Sequence, residues 1–151
     1  MSAPDPRLFL ALDRAAHRVR AQRERLCRDQ LGISAAQLAA LLFLARHDGA
    51  RSGDLAEALA VQAAAVTGLV DRMARDGLVR RRTCPDDARA HRVHLTAAGR
   101  RAAAGGHAIV AAGNAALAAR FSKDELATVA RFLAEVGELT LAVPAHPPKA
   151  P

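Results

Sequence analysis

Apolar side chains at Leu8, Leu12, Ala15, Val19 and Leu26 recur at helical spacing with a polar gap around Arg23. They predict one long helix from Leu8 to Leu31, ended by Gly32. Ser34 stands three residues before Gln37, the spacing of a capping box, and opens a second helix through Leu38, Leu41, Leu42 and Leu44. That helix is apolar nearly all round and belongs in a core. It is expected to stop at Asp48-Gly49. Ser52, a candidate N-cap, starts a short helix with Leu55, Ala56 and Leu59, and a further helix from about Ala63 to Asp76 carries Val66, Leu69, Val70 and Met73 before Gly77. Two short helices joined by a brief break form a helix-turn-helix.

Beyond Gly77 the period changes. Leu78 to Thr83 and His91 to Leu95 flank a turn-rich Cys84-Pro85-Asp86-Asp87, and Val93 and Leu95 alternate with polar residues, which predicts a β-hairpin with a longer loop. Thr96 then caps a second long, Ala-rich helix to about Arg120. Gly99, Gly105, Gly106 and Gly113 each weaken it by roughly 1 kcal/mol, so its middle is expected to bend or to pack closely on a partner. Ser122 and Glu125 form a second capping box, opening a last helix with Leu126, Val129, Phe132, Leu133, Val136 and Leu139 on one stripe. Pro144, Pro147, Pro148 and Pro151 predict a disordered tail over 142–151. The fold class is therefore mainly α with a small β-hairpin. Three long amphipathic helices are more than a small monomer covers, which points to a two-fold dimer.

The chain has 151 residues, enough for one compact domain. Its net charge is +7, and Lys123 and Lys149 are its only lysines. Nearly all the positive charge is guanidinium, whose planar fork matches phosphates and base edges. The excess is local. Residues 72–101 hold nine Arg against Asp76, Asp86 and Asp87, a net +6, and residues 7–30 carry +4, leaving the remainder negative. A basic run alone is usually a solvated face; one that follows a helix-turn-helix and forms a hairpin points to duplex DNA. Without Trp or Tyr the chain lacks platforms for stacking single-stranded bases. No apolar run reaches the ~18 residues of a membrane span, the N-terminus does not read as a secretory signal, and Cys27 and Cys84 make no disulfide framework. A cytoplasmic protein that meets no membrane is expected.

The second helix of the pair would enter the major groove N-terminus first. Gln62 there can address an adenine edge, and the methyls of Ala64 and Thr67 a thymine methyl. Arg72 and Arg75 lie further along for phosphate. Ser52 and the hairpin residues Arg80, Arg81 and Arg82 join this DNA-contacting set. Arg89 sits at the hairpin tip, suited to a minor groove, with Asp87 two residues before it to hold its fork.

Leu69-Val70-Asp71-Arg72-Met73-Ala74-Arg75-Asp76-Gly77-Leu78-Val79-Arg80-Arg81 resembles the junction between recognition helix and wing in the MarR family of winged helix-turn-helix transcriptional regulators. Asp87-Ala88-Arg89, followed by Leu95-Thr96-Ala97-Ala98-Gly99, resembles the family's wing signature and the start of its next helix. The likeness in element order covers roughly residues 8–141. It implies a winged helix-turn-helix lobe over 34–95 and a helical dimerisation lobe built from 7–31 and 97–141. It also implies an obligate homodimer on a palindromic double-stranded operator, usually as a repressor, and Arg89 as the minor-groove arginine paired with Asp87. Many relatives release DNA on binding a small phenolic or anionic effector between the dimer helices and the DNA-binding lobe; by that analogy His17, Arg20 and His47 are ligand-binding candidates. Gly68 and the run Ala63-Ala64-Ala65 depart from the family's more polar reading helix, which implies thin base readout and more weight on wing and shape.

Three other readings stay beside this one. Cys84, next to Arg81 and Arg82, suits a redox-reactive thiolate, although oxidation-sensing relatives use tyrosines that this chain lacks. Glu24, Cys27 and His107 are a weak metal set, with no His-x-x-x-His and no zinc spacing to support it, so no metal or cofactor is expected. No nucleophile elbow, phosphate-cradling glycine loop or carboxylate pair suggests an enzyme. The bland reading helix also fits a protein-binding adaptor that kept the fold and lost its operator.

Overall fold

A computed structural model describes residues 7–84 and 87–139, the side chains of 84–90 excepted. Six helices and a three-stranded sheet run in the order α1 (Leu8–Leu31), α2 (Ala35–Arg46), β1 (Ala50–Arg51), α3 (Ser52–Ala58), α4 (Ala63–Arg75), β2 (Val79–Cys84), β3 (Asp87–Leu95), α5 (Ala97–Ala118) and α6 (Lys123–Glu138). The chain divides into two compact units, residues 1–110 and 111–151, with the division inside α5.

In the first unit the helix ends follow from local chemistry. Gly32 takes the left-handed conformation (φ 66°) that ends α1. The Ser34 side chain accepts from the Gln37 N–H at 3.1 Å while the Gln37 side chain accepts from the Ser34 N–H at 2.8 Å, completing the expected box at the start of α2. α2 lies at the centre: Leu38, Leu41 and Leu44 are buried with Leu55 of α3, Val66, Leu69, Val70 and Met73 of α4, and Val79, Val93 and Leu95 of the sheet. The sheet order is β1-β3-β2, all antiparallel. β2 and β3 form the expected hairpin, with a register shift between Thr83 and Cys84.

Thr96 caps α5 as expected, its hydroxyl accepting from the Gly99 N–H at 3.0 Å. Gly99, Gly105 and Gly106 of α5 serve close packing, whereas a Cβ on Gly113 would meet nothing within 4 Å. A Cβ on Gly99 would collide with the Leu78 carbonyl, and one on Gly106 with the Leu38 side chain. One expectation needs correcting. Ser52 is the first helical residue of α3, not its cap; Arg51 takes the cap position because its N–H is held by the Asp54 carboxylate at 2.8 Å.

In the second unit the Ser122–Glu125 box opens α6. No residue of α6 is buried, and the apolar stripe read from the sequence leaves Val129 and Leu133 each 49% exposed. The tail expected over 142–151 lies outside the described residues.

Candidate nucleic-acid interface

The chain bends by 111° between α3 and α4. The turn passes through Ala60 at φ 52°, a left-handed conformation that non-glycine residues seldom adopt. α4 buries Val66, Leu69, Val70 and Met73 and presents its other face: Gln62, Ala64, Thr67, Arg72 and Arg75 are all exposed. Gln62 is the N-cap residue and makes no side-chain cap bond, which leaves its amide for another partner. The Thr67 hydroxyl donates to the Ala63 carbonyl at 3.1 Å, so its hydrogen is spent within the helix and its methyl is what the face offers. Gly68 lies beside Arg72, whose guanidinium is 3.5 Å from where a Gly68 Cβ would sit, an ordinary van der Waals contact.

Arg81 behaves differently from its neighbours. Its guanidinium pairs with Asp71 at 2.8 Å and reaches the Thr67 carbonyl at 3.4 Å, bracing β2 against α4. Arg80 and Arg82 are exposed. Asp87 and Arg89 lie in the first residues of β3, beside the connection from β2; their side chains are outside the described set. Ser52 is half-buried at the start of α3.

The relatives agree with this geometry. A sequence profile of the MarR family matches residues 31–90. The chain is similar to a probable transcriptional regulator from Pseudomonas aeruginosa at 30% identity and TM-score 0.75, over 87% of this chain and 98% of that one. It is similar to a MarR family transcription regulator at 27% identity and TM-score 0.74, over 89% and 95% of the two chains. The chain belongs to the MarR family of transcriptional regulators. A third similar structure, at 25% identity and TM-score 0.78 over 91% and 99% of the chains, is the transcriptional repressor CouR bound to a 23-mer DNA duplex. Among curated protein sequences none matches.

Two cavities lie in the first unit of this MarR-family protein. One, about 480 Å³, is lined by Arg28, Ser34, Gln37, Arg72 and Asp76; the other, about 260 Å³, by Leu44, Asp48, Leu95, Arg100, Ala103 and His107. His17, Arg20 and His47 are exposed, and none of them lines either cavity; the His47 ring sits 4.7 Å from that of Phe43. At the second cavity, partial burial raises the Asp48 pKa. The Leu95 N–H (2.8 Å), the His94 ring (3.3 Å) and the Arg100 charge outweigh that effect and hold the carboxyl below its ordinary value.

The metal set suggested by the sequence is not assembled: among the described residues no three His, Cys, Asp or Glu side chains are placed to hold an ion. The Glu24 carboxylate instead accepts from the Ala35 N–H at 2.8 Å and pairs with Arg28, and Cys27 is wholly buried. Among the described residues no single helix is long and apolar enough to cross a membrane.

The structure adds Arg51 and Arg92 to the basic surface. Arg51 pairs with Arg92 across β1 and β3, and Arg92 donates to the Gly49 carbonyl at 3.1 Å. A two-residue strand is too short to show alternation, so β1 has no signal of its own in the sequence. The only hint was Gly49, which stands at φ 82° just before it.

Proposed function

We propose that this chain is a sequence-specific double-stranded DNA-binding regulator that works as a homodimer on a palindromic operator and represses until a small anionic or phenolic effector releases it. The observation that carries the reading is the exposed leading end of α4, Gln62 to Thr67, followed in the same unit by a hairpin bearing Arg80, Arg82 and Arg89. An N-terminal helix end of that size fits the major groove, and an arginine-bearing hairpin fits the adjacent minor groove. CouR, a repressor of like fold, is bound to a duplex. The dimer is supported by apolar surface that each unit leaves open: Leu8, Phe9, Leu10 and Val19 on α1, and Val129 and Leu133 on α6. The effector is supported by the second cavity, where apolar side chains surround Arg100 and His107. A cytoplasmic, non-enzymatic role belongs to the same reading.

Recovery of bound genomic fragments, followed by their titration with protein and with Arg89→Ala, tests it. The expected result is a recurrent inverted repeat bound steeply less well as salt rises, and a loss of both affinity and sequence preference on Arg89→Ala. The exposed Ala63, Ala64 and Ala65, which offer only methyls, favour a second reading, an adaptor that binds protein. A flat salt response with no recovered site would support the adaptor and overturn the regulator.

A further inference from the structure

The two faces of the sheet are unlike. One buries Val79, Val93 and Leu95 in the core. On the other, Arg80 stands opposite His94, and Arg82, Arg92 and Arg51 are direct partners in register across β2, β3 and β1. Directly opposed side chains on antiparallel strands have Cβ atoms roughly 5 Å apart, and like charges so placed destabilise a sheet. Packing alone gives no reason to align three arginines in register.

Among the described residues the nearby carboxylates are engaged away from the arginine side chains. Asp48 is held by the Leu95 N–H and His94, and Asp54 accepts the backbone N–H of Arg51. Among the described residues no ion pair reaches Arg51, Arg80, Arg82 or Arg92. Arg92 gives one N–H to the Gly49 carbonyl, which leaves most of its five donors unused. The row spans about 10 Å, two strand spacings of ~4.8 Å, which is the axial rise of about three phosphates on one DNA strand.

We infer that the outer face of the sheet is a second phosphate-binding surface, on which Arg51, Arg82 and Arg92 hold the sugar-phosphate backbone of duplex DNA apart from the contacts of α4 and the hairpin tip. The inference rests on the DNA-binding reading above and extends it to two arginines outside the reading helix and the wing signature. It also explains the alignment: repulsion within the free sheet is relieved when phosphates lie across it.

The test is a salt titration of a random-sequence duplex several helical turns long, with wild type, R51Q, R82Q and the R51Q/R82Q double variant, beside thermal melts of each protein at low salt without DNA. Each substitution is expected to reduce the slope of log K against log salt by about 1, and the double by about 2. The free variants should melt at or above the wild-type temperature at low salt, because a like-charge neighbour has gone. A purely structural row would do the reverse, lowering the melting temperature and leaving the slope alone. Equal slopes in wild type and double variant overturn this inference and leave the DNA-binding reading standing. Wild-type protein that fails to bind the duplex overturns both.

Discussion

The Gln37 side-chain amide donates to the Asp76 carboxylate at 2.7 Å, tying the first turn of α2 to the residue that caps the C-terminal end of α4. The same side chain accepts the Ser34 N–H, so one buried glutamine both caps a helix and sets where the reading helix ends. Gln37→Ala removes the cap bond and the clip together and is expected to cost about 1–3 kcal/mol. Asp76→Ala leaves the amide of the buried Gln37 without its acceptor but keeps the cap bond, so a loss of about 1–2 kcal/mol, below that of Gln37→Ala, is expected. Urea midpoints at constant m-value check both. An Asp76→Ala loss as large as that of Gln37→Ala would show that the cap bond contributes nothing.

Asp48 links stability to pH. Its folded carboxyl is held below its unfolded value, so the stabilisation is complete at neutral pH and is lost as pH falls through and below about 4. Asp48→Asn should therefore destabilise the protein near neutrality and flatten the decline of unfolding free energy between about pH 5 and pH 2. Parallel slopes for the two proteins over that range would assign the acid sensitivity elsewhere, Glu24 being the next carboxyl held low, by the Ala35 N–H.

Two helical glycines should respond to alanine with opposite signs. At Gly99 the new methyl meets the Leu78 carbonyl, a backbone atom that cannot swing aside, and a loss of about 1–3 kcal/mol is expected. At Gly68 it meets only the flexible end of Arg72, at 3.5 Å, and the gain in helix propensity should raise stability by up to ~1 kcal/mol. Thermal midpoints of the two variants decide the matter. A destabilised Gly68→Ala would mean that Arg72 does not give way to the new methyl.

These pairs also mark what the sequence could convey. Periodicity and capping residues located α1, α2, α4 and α6 to within a residue or two, because each signal sits within a few positions of the bond it forms: Ser34 with Gln37, Ser122 with Glu125, Gly32 and Gly77 at helix ends. Contacts between distant residues left no such mark. Gln37 and Asp76 lie 39 positions apart. Arg81 reads as one more phosphate arginine until Asp71 and the Thr67 carbonyl are placed beside it. The glycines of α5 announced weakness in a helix; only packing shows that Gly99 and Gly106 admit Leu78 and Leu38. The Arg51–Arg92–Arg82 row was equally hidden, since it depends on a two-residue strand and on register.

The proposed dimerisation through α6 is open to direct disruption. Leu133 lies on an apolar stripe of a helix that buries nothing within its own unit. If a second copy covers that stripe, Leu133→Arg places a charge in the contact and should turn a dimer into a monomer in sedimentation, with helical content kept. Affinity for a two-half-site duplex should fall far more than affinity for a single half-site. A Leu133→Arg protein that still sediments as a dimer would exclude this stripe from the interface.

Cys27 is the remaining test of the metal reading, which needs an accessible thiolate; the redox reading rests on Cys84, whose side chain lies outside the described residues. The side chain is wholly buried at the end of α1, and that burial pushes the thiol pKa up; the Arg23 charge opposes the shift without reversing it, and Glu24 adds to it. A thiol so placed is protonated at neutral pH and shielded from oxidants. In the folded protein, peptide-resolved mass spectrometry after peroxide and iodoacetamide should find Cys27 unmodified, and in urea it should be alkylated readily. Cys27→Ala should then bind DNA as the wild type does, with or without peroxide, at a stability loss of ~1 kcal/mol from the small cavity. Equal labelling rates in folded and unfolded protein would show that the α1–α2 junction opens on its own, and would return Cys27 to consideration as a metal ligand.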